Sequence, residues 1–430
     1  MLLISVFFIF IIACEKDDGD LNDNSGNGNI DSTEQRVADS IFLFVEEVMD
    51  YWYLWNDNIP DLDFTEFSSP ADYLEALIFD SLDRNWSFVE KYEVINSIFN
   101  EGEYYGFGFL LGWGPYGNLR VLLVYDNTSA KKAGIKRGTI ITKMNGVKAQ
   151  NIVSFDPFFD DDTKKMNFEI DNNGVIKTVT LEKEIVKMNG IFERKIIEFN
   201  SKKVGYLVYD SFLEYTKDEL TAALSYFKEN LIDELVLDLR YNGGGSLGLA
   251  EEIANAVIKN EAVGQVMYRV THNHDRNNFD TSTYFNPGVM NYNLDRIFIL
   301  ATEFSASASE VLINSLNPHI EVYLIGQKTY GKPVGQYLFT YADWAMAPVT
   351  LKLVNADEYG EFYDGLNPTL ETWDDITKDF GDTTENMLYQ AIHYIQDNTF
   401  DLPLARKSLP VPVKLPEVEF KGVNKLFLRM

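Results

Sequence analysis

The chain has 430 residues, 46% of them hydrophobic and 24% charged, and 66 Asp and Glu against 37 Lys and Arg leave a formal net charge of −29. That length exceeds one ordinary core and predicts two or three domains, while the shortage of clustered cations excludes nucleic acid and other polyanions as partners. A single cysteine, Cys14, excludes an intramolecular disulfide and a thiolate metal site.

Leu2 to Ala13 is an apolar run of twelve residues. It is too short to cross a bilayer that needs about 20, and it suits the h-region of a secretion signal. Ile11-Ile12-Ala13-Cys14 resembles a bacterial lipobox. The resemblance implies a signal peptide over 1–14, lipidation of Cys14 and attachment to a membrane through that lipid. It departs from the pattern in having no Lys or Arg between Met1 and Cys14. Residues 15–35 are rich in Asp, Asn, Gly and Ser and too poor in apolar groups to offset the entropy of folding, so they read as a disordered acidic tether. Glu15-Lys16-Asp17-Asp18 resembles the surface-export signal of Bacteroidetes-type lipoproteins.

Over 36–98, Val37, Ile41, Val45, Val48, Met49 and Trp52 recur at helical spacing until Pro60 stops the helix. With Ala71 to Asp83 they predict a small helical module whose role is packing. From 99 to 188 the texture turns to strands. Leu119 to Tyr125 has strand length, Ser129 can cap a short helix that Gly134 ends in a left-handed conformation, and Asn145-Gly146 signals a hairpin. With Phe107-Gly108-Phe109 ahead of it, this order resembles a PDZ domain. The resemblance implies that the Phe107, Gly108 and Phe109 loop receives a peptide's terminal carboxylate while the peptide adds a strand to the sheet. Thr139 stands where such domains often carry Asp.

Residues 189–400 alternate strands and helices. Val204 to Tyr209 reads as a strand, and Thr216 with Glu219 predicts a capping box for a helix with Leu220, Leu224, Phe227 and Leu231 on one face. The strand Leu235 to Leu239 runs into Asn242-Gly243-Gly244-Gly245 and a helix over Leu247 to Lys259. Ile297 to Ala301 runs into Ser305 to Glu310 and another helix, and Val322 to Ile325 enters Gly326 to Gln336. Small or polar residues thus follow a buried strand three times, at the edge where α/β folds assemble sites. Residues 401–430 form a Pro- and Lys-rich tail with no assigned role.

A serine hydroxyl is a poor nucleophile until a base takes its proton. His272, His274, His319 and His393 lie in no triad pattern, and there is no G-x-S-x-G elbow. A desolvated lysine can serve instead, and Lys332 lies between Gly331 and Pro333 on a tight loop leaving a buried strand. Ser305-Ala306-Ser307-Ala308-Ser309-Glu310 and Thr329-Tyr330-Gly331-Lys332-Pro333-Val334-Gly335-Gln336 together resemble the signature of the C-terminal processing (tail-specific) peptidases, family S41. The resemblance implies Ser307 as nucleophile, Lys332 as base and Gln336 as the residue that orients it. Asp238-Leu239-Arg240-Tyr241-Asn242-Gly243-Gly244-Gly245 resembles the family's strand and Gly-rich loop, which implies an oxyanion hole from the amides of Gly244 and Ala308. Gly365-Leu366-Asn367-Pro368 echoes a late family motif.

The expected fold is an α/β multi-domain protein: a helical module, a PDZ-like β-rich domain and a ClpP/crotonase-like peptidase core at 189–400. The expected function is a lipid-anchored serine endopeptidase of the cell envelope that binds polypeptides by their C-terminus and needs no metal or organic cofactor. The rival reading is a catalytically silent peptidase-like lipoprotein that binds peptides or another ligand. Taken alone, Ser307 and Glu310 also fit the S-x-x-E pattern of a helix cap. Gly326 to Lys332 fits the G-x-x-x-x-G-K half of a phosphate loop, but Pro333 brings no hydroxyl for Mg²⁺ and the next residues read as strand, so no nucleotide is expected.

Overall fold

The computed structural model describes residues 31–402, apart from 85, 115–116, 153, 160–162 and 289. The expected signal peptide, Cys14, most of the tether and nearly all of the tail lie outside the described residues. Within them, helix α1 (Asp31–Trp52) begins inside the stretch read as tether. No helix among the described residues is long and apolar enough to cross a membrane.

The chain divides into two compact units. The first comprises the residues through Asn96 with Arg269–Ser282 and Val334–Leu353. In α1 the helical stripe Ile41, Val45, Val48 and Met49 is buried. Ser69 caps α2 (Pro70–Leu77) by accepting from the Asp72 N–H, with Pro70 preset for the first turn. The module is not helical alone: Phe88–Lys91 pairs antiparallel with Trp344–Ala347, which pairs in turn with Phe339–Tyr341.

Among the described residues the second unit holds two six-stranded sheets and a two-stranded one. Between 97 and 188, β1 (Glu103–Gly106), β2 (Phe109–Trp113), β3 (Leu119–Val124), β4 (Ile140–Met144), β5 (Val147–Lys148), β6 (Lys165–Asn172), β7 (Val175–Glu182) and β8 (Glu184–Lys187) succeed one another. The main sheet runs β2-β3-β4-β6-β7, which leaves β2 at an edge, and β1 pairs with β8. Asn145 and Gly146 both take positive φ, as the tight β4–β5 hairpin demands. The short helix Ser129–Lys132 is capped by Thr128 and not by Ser129: the Thr128 hydroxyl accepts from the Lys131 N–H.

Beyond 188 come β9 (Ile191–Phe199), β10 (Lys202–Tyr209), α3 (Lys217–Asn230), β11 (Glu234–Asp238), α4 (Leu247–Val257), β12 (Arg296–Ala301), α5 (Ala308–Leu316), β13 (Glu321–Gly326), β14 (Leu370–Glu371) and α6 (Asn386–Asp397). Their sheet runs β9-β10-β11-β12-β13-β14, parallel except for the β9–β10 pair. Every residue of β11 is buried, as expected of a strand covered on both faces. Met387, Leu388, Ala391 and Ile395 of α6 join Val204, Tyr206, Val236 and Phe298 in one core. The predicted Thr216 capping box does not form. The Thr216 hydroxyl donates to the carbonyls of Ser211 and Leu213, and Glu219 accepts instead from the Ile191 N–H. Leu231, placed by periodicity on the buried face, is the left-handed cap of α3 and is exposed.

Candidate active site

The three turns expected at the sheet edge converge. After β12 the chain tightens through Thr302–Ser309, and two of the three serines there are committed to structure. Ser305 is fully buried and its hydroxyl donates to the Leu239 carbonyl at 2.8 Å; Ser309 is also buried and donates to the Asn242 carbonyl at 2.9 Å. Ser307 alone of the three is partly exposed. Its backbone has φ 53° and ψ −117°, a region that costs a non-glycine residue on the order of 1–3 kcal/mol and persists only where the surroundings impose it. They do: the Ala306 N–H donates to the Asn242 carbonyl and the Val311 N–H to the Ser307 carbonyl.

Glu310 ties this turn to the lysine loop. One of its carboxylate oxygens accepts from the Ser307 N–H (3.0 Å) and the Lys332 N–H (2.8 Å). The other accepts from the Gly331 N–H (2.7 Å) and the Thr329 hydroxyl (2.5 Å). Burial pushes this carboxyl up, against the four donors that pull it down. Glu310 entered the sequence reading only as half of a helix cap; the S-x-x-E spacing was its signal, and the partners 19 to 22 residues away were not visible. The Tyr330 N–H adds a bond to the Ser305 carbonyl at 3.0 Å. Lys332 itself is 2% exposed, the desolvation that a lysine base requires.

The late motif has a mechanical role. Gly331 (φ 96°) lies so close to another backbone that a Cβ there would stand 2.2 Å from the Tyr363 carbonyl oxygen, and the Thr329 hydroxyl accepts from the Leu366 N–H at 2.7 Å. The 365–368 turn is therefore the floor of the lysine loop. Gly244 (φ 107°) is equally constrained: a Cβ would meet the Ser307 Cβ at 2.7 Å and the Ala308 nitrogen at 3.0 Å. The Gly-rich loop thus touches the Ser307 turn through Gly244, and the Gly244 N–H donates to the Asn242 side-chain oxygen at 2.9 Å.

Below this loop lies a second residue set that the sequence reading missed. Arg240, 1% exposed, donates to both oxygens of Asp238 (2.8 and 2.7 Å), to Asp374 (2.5 Å) and to Glu385 (3.1 Å), and the Tyr206 hydroxyl donates to Asp238 at 2.7 Å. Arg137 joins through Asp374, the Tyr241 hydroxyl and the carbonyls of Leu122 and Lys378. Burial pushes the Asp374 carboxyl up, but the Arg137 and Arg240 charges outweigh it and hold it below the usual carboxylate range.

The remaining predicted residues lie elsewhere. Gln336 belongs to the first unit, where its side-chain amide donates to the carbonyls of Trp86 (2.8 Å) and Ala347 (2.6 Å). In that unit the buried His272 side chain also lies 3.0 Å from an Asp280 oxygen and 2.9 Å from the Tyr337 hydroxyl, a pairing that spacing did not show. The Phe107 and Phe109 rings point into the core against Phe168, so the loop between β1 and β2 offers backbone. No group of three His, Cys, Asp or Glu that could hold a metal occurs among the described residues.

A mostly parallel sheet with converging turns at its edge defines an α/β domain of the kind that places sites there. Residues 203–372 match Peptidase family S41 and residues 40–88 match the Peptidase S41 N-terminal domain. It is 27% identical to the carboxyl-terminal-processing protease of Picosynechococcus sp., over 61% of this chain and 62% of that one. It is 30% identical to a Staphylococcus aureus protein named as a CtpA-like serine protease, over 56% and 48%. The chain thus spans less than two thirds of these curated relatives. An S41 protease structure from Bacteroides fragilis shares 25% identity with a TM-score of 0.66, covering 83% of this chain and 97% of that one. The photosystem II D1 C-terminal processing protease, 17% identical with a TM-score of 0.51 over 78% and 93%, shares the fold.

Proposed function

We propose that this chain is a serine endopeptidase of the cell envelope, anchored through Cys14, that takes polypeptides by their C-terminus and cleaves them with a Ser307/Lys332 dyad. The observation that carries the reading is the shared Glu310 oxygen, on which the backbone amides of Ser307 and Lys332 both close. Ser307 attacks the scissile carbonyl as the neutral Lys332 amine takes its proton. The resulting ammonium then protonates the leaving amine, and water hydrolyses the acyl-enzyme with the lysine again as base. The Ala308 amide, at the start of α5, faces the oxyanion together with the Gly244 amide, which must share its N–H with Asn242 or release it. The family resemblance gives Gln336 the role of orienting the base; its side-chain amide donates to the carbonyls of Trp86 and Ala347. The PDZ-like region at 99–188 presents the edge of β2 and the Phe107, Gly108 and Phe109 backbone to the substrate's end.

The test incubates the chain with an unfolded protein beside Ser307→Ala and Lys332→Ala. Loss of a general base costs about 10²- to 10⁴-fold, so cleavage should persist in the parent alone. Cleavage surviving Lys332→Ala would remove the proposed base and direct attention to His272. Cleavage by no form would favour the binding-protein reading.

A further inference from the structure

The β6–β7 hairpin carries apolar residues outward at its tip. Its turn is Asn173-Gly174, both at positive φ (54° and 89°), and a Cβ on Gly174 would meet no atom within 4 Å. Directly after the turn, Val175 and Ile176 are 65% and 63% exposed. The register is unbroken from Lys165 opposite Glu182 to Asn172 opposite Val175, so both residues belong to regular strand. Consecutive strand residues point to opposite faces. Val175 shares a face with the buried Leu181 but lies beyond the core, and Ile176 lies on the other face. The tip therefore projects past what covers the sheet, and no core asks for two β-branched apolar residues there.

Lysines flank this tip. Lys177 donates to the Ala133 carbonyl at 2.8 Å and Asn172 to the Gly134 carbonyl at 3.0 Å, which docks the turn after the Ser129–Lys132 helix against the hairpin. That segment brings Lys131, Lys132 and Lys136, all exposed. The Thr139 hydroxyl accepts from the Lys136 N–H and donates to Asn172, holding Lys136 beside the hairpin as well. Of the carboxylates nearby, Asp126 pairs with Lys131, Asp171 accepts from the Gly174 N–H at 2.6 Å, and Glu184 accepts from the Ser129 N–H at the far end of the short helix. The tip thus carries a surplus of positive charge in a chain whose net charge is −29.

We propose that this tip is a membrane-contact point: Val175 and Ile176 enter the interfacial layer of a bilayer while Lys131, Lys132, Lys136 and Lys177 meet anionic headgroups. A protein partner would cover one face of the hairpin, and a second copy would set lysines against lysines. A fluid surface closes around a tip that is exposed on both faces. Each lysine at an anionic surface adds about fivefold in affinity, and two apolar side chains add a shallow insertion, so the contact is weak and reversible. It is separate from the lipid proposed at Cys14 and does not depend on it.

The experiment uses the full chain with Cys14→Ser, so that an introduced cysteine alone takes an environment-sensitive dye. Ile176→Cys is labelled at the tip, and Ile185→Cys, 70% exposed on β8, is the control. The vesicles are equal parts phosphatidylcholine and phosphatidylglycerol, with a nitroxide on the acyl chains. The dye at the Ile176 position should shift to the blue and be quenched, while that at the Ile185 position stays as in water. Adding Lys132→Gln and Lys136→Gln should raise the lipid concentration needed about 20- to 30-fold. Val175→Cys repeats the test should the first labelled chain aggregate. A tip dye left in water by these vesicles overturns the proposal. Equal quenching at tip and control does so too, because the chain then lies on the bilayer by other parts, such as Leu2 to Ala13. A blue shift that needs no lipid and grows with protein concentration gives the tip to a second copy and overturns the bilayer.

Discussion

Two buried carboxylate centres brace the same sheet edge by opposite means. Glu310 is surrounded by neutral donors, three amides and a hydroxyl, drawn from the Ser307 turn and the lysine loop. Asp238, Asp374 and Glu385 are surrounded by guanidinium charge from Arg240 and Arg137. Burial wins at Glu310, which is raised, and charge wins at Asp374, which is lowered. The contrast separates two jobs. Hydrogen bonds from rigid backbone fix geometry to tenths of an ångström, which the proposed role of the Ser307 turn requires. An ion network holds segments far apart in sequence together, at the price of heavy desolvation.

Breaking each centre should therefore show in different observables. Arg240→Met leaves three buried carboxylates without their shared cation. It should destabilise the chain by about 3–5 kcal/mol, read as a lower urea midpoint in equilibrium unfolding. A loss below about 1 kcal/mol would mean that water reaches the cluster. Glu310→Gln keeps the volume but turns one acceptor oxygen into a donor facing amide N–H groups. Stability should fall by only about 1–3 kcal/mol. Turnover should fall on the order of 10²-fold, because displacing catalytic groups by about 1 Å is that expensive, with KM little changed. Equal and small effects of the two variants on turnover would erase the distinction.

The sequence made the ends of this arrangement legible and hid the middle. Ser307 and Lys332 stand out by motif, and Gly244 by its run of glycines. Nothing local separates Ser307 from Ser305 and Ser309, since all three are small and polar; the separation is that two hydroxyls are spent on carbonyls of the Asp238–Gly245 segment. Arg137 and Asp374 are 237 residues apart, and no periodicity reports on such a pair. Adjacent Thr128 and Ser129 have nearly equal capping preference, so the choice fell to packing. Thr216 was an adequate cap whose hydroxyl tertiary partners claimed first. Strand and helix order from 189 to 326 was readable because buried parallel strands are continuous apolar runs. The grouping of Val334–Leu353 with the N-terminal module was not, because it depends on pairings such as Phe88 with Ala347.

The smallest effect concerns a third carboxyl that neither device serves. Asp210 follows β10, is half-buried and accepts from the Tyr125 hydroxyl at 3.1 Å, and burial pushes its carboxyl from 3.8 up to about 7. A carboxyl raised by folding contributes stability that is fully present below its unfolded value near 4 and is lost as pH rises through about 7. Asp374 has the opposite sign: lowered by folding, it contributes above about 4 and loses that contribution as pH falls. Between pH 4 and 8 the Asp210 slope adds to that of Glu310, which burial also raises, and comparison with Asp210→Asn isolates it. The move from 3.8 to about 7 bounds it at about 4 kcal/mol, and partial access of water should reduce it to about 1–2 kcal/mol. Asp210→Asn removes the slope. Its melting temperature should match the parent near pH 4 and exceed it by a few degrees at pH 8. A parent curve already flat across that window would mean that the carboxyl is hydrated, and that the Tyr125 bond is held by a carboxylate throughout.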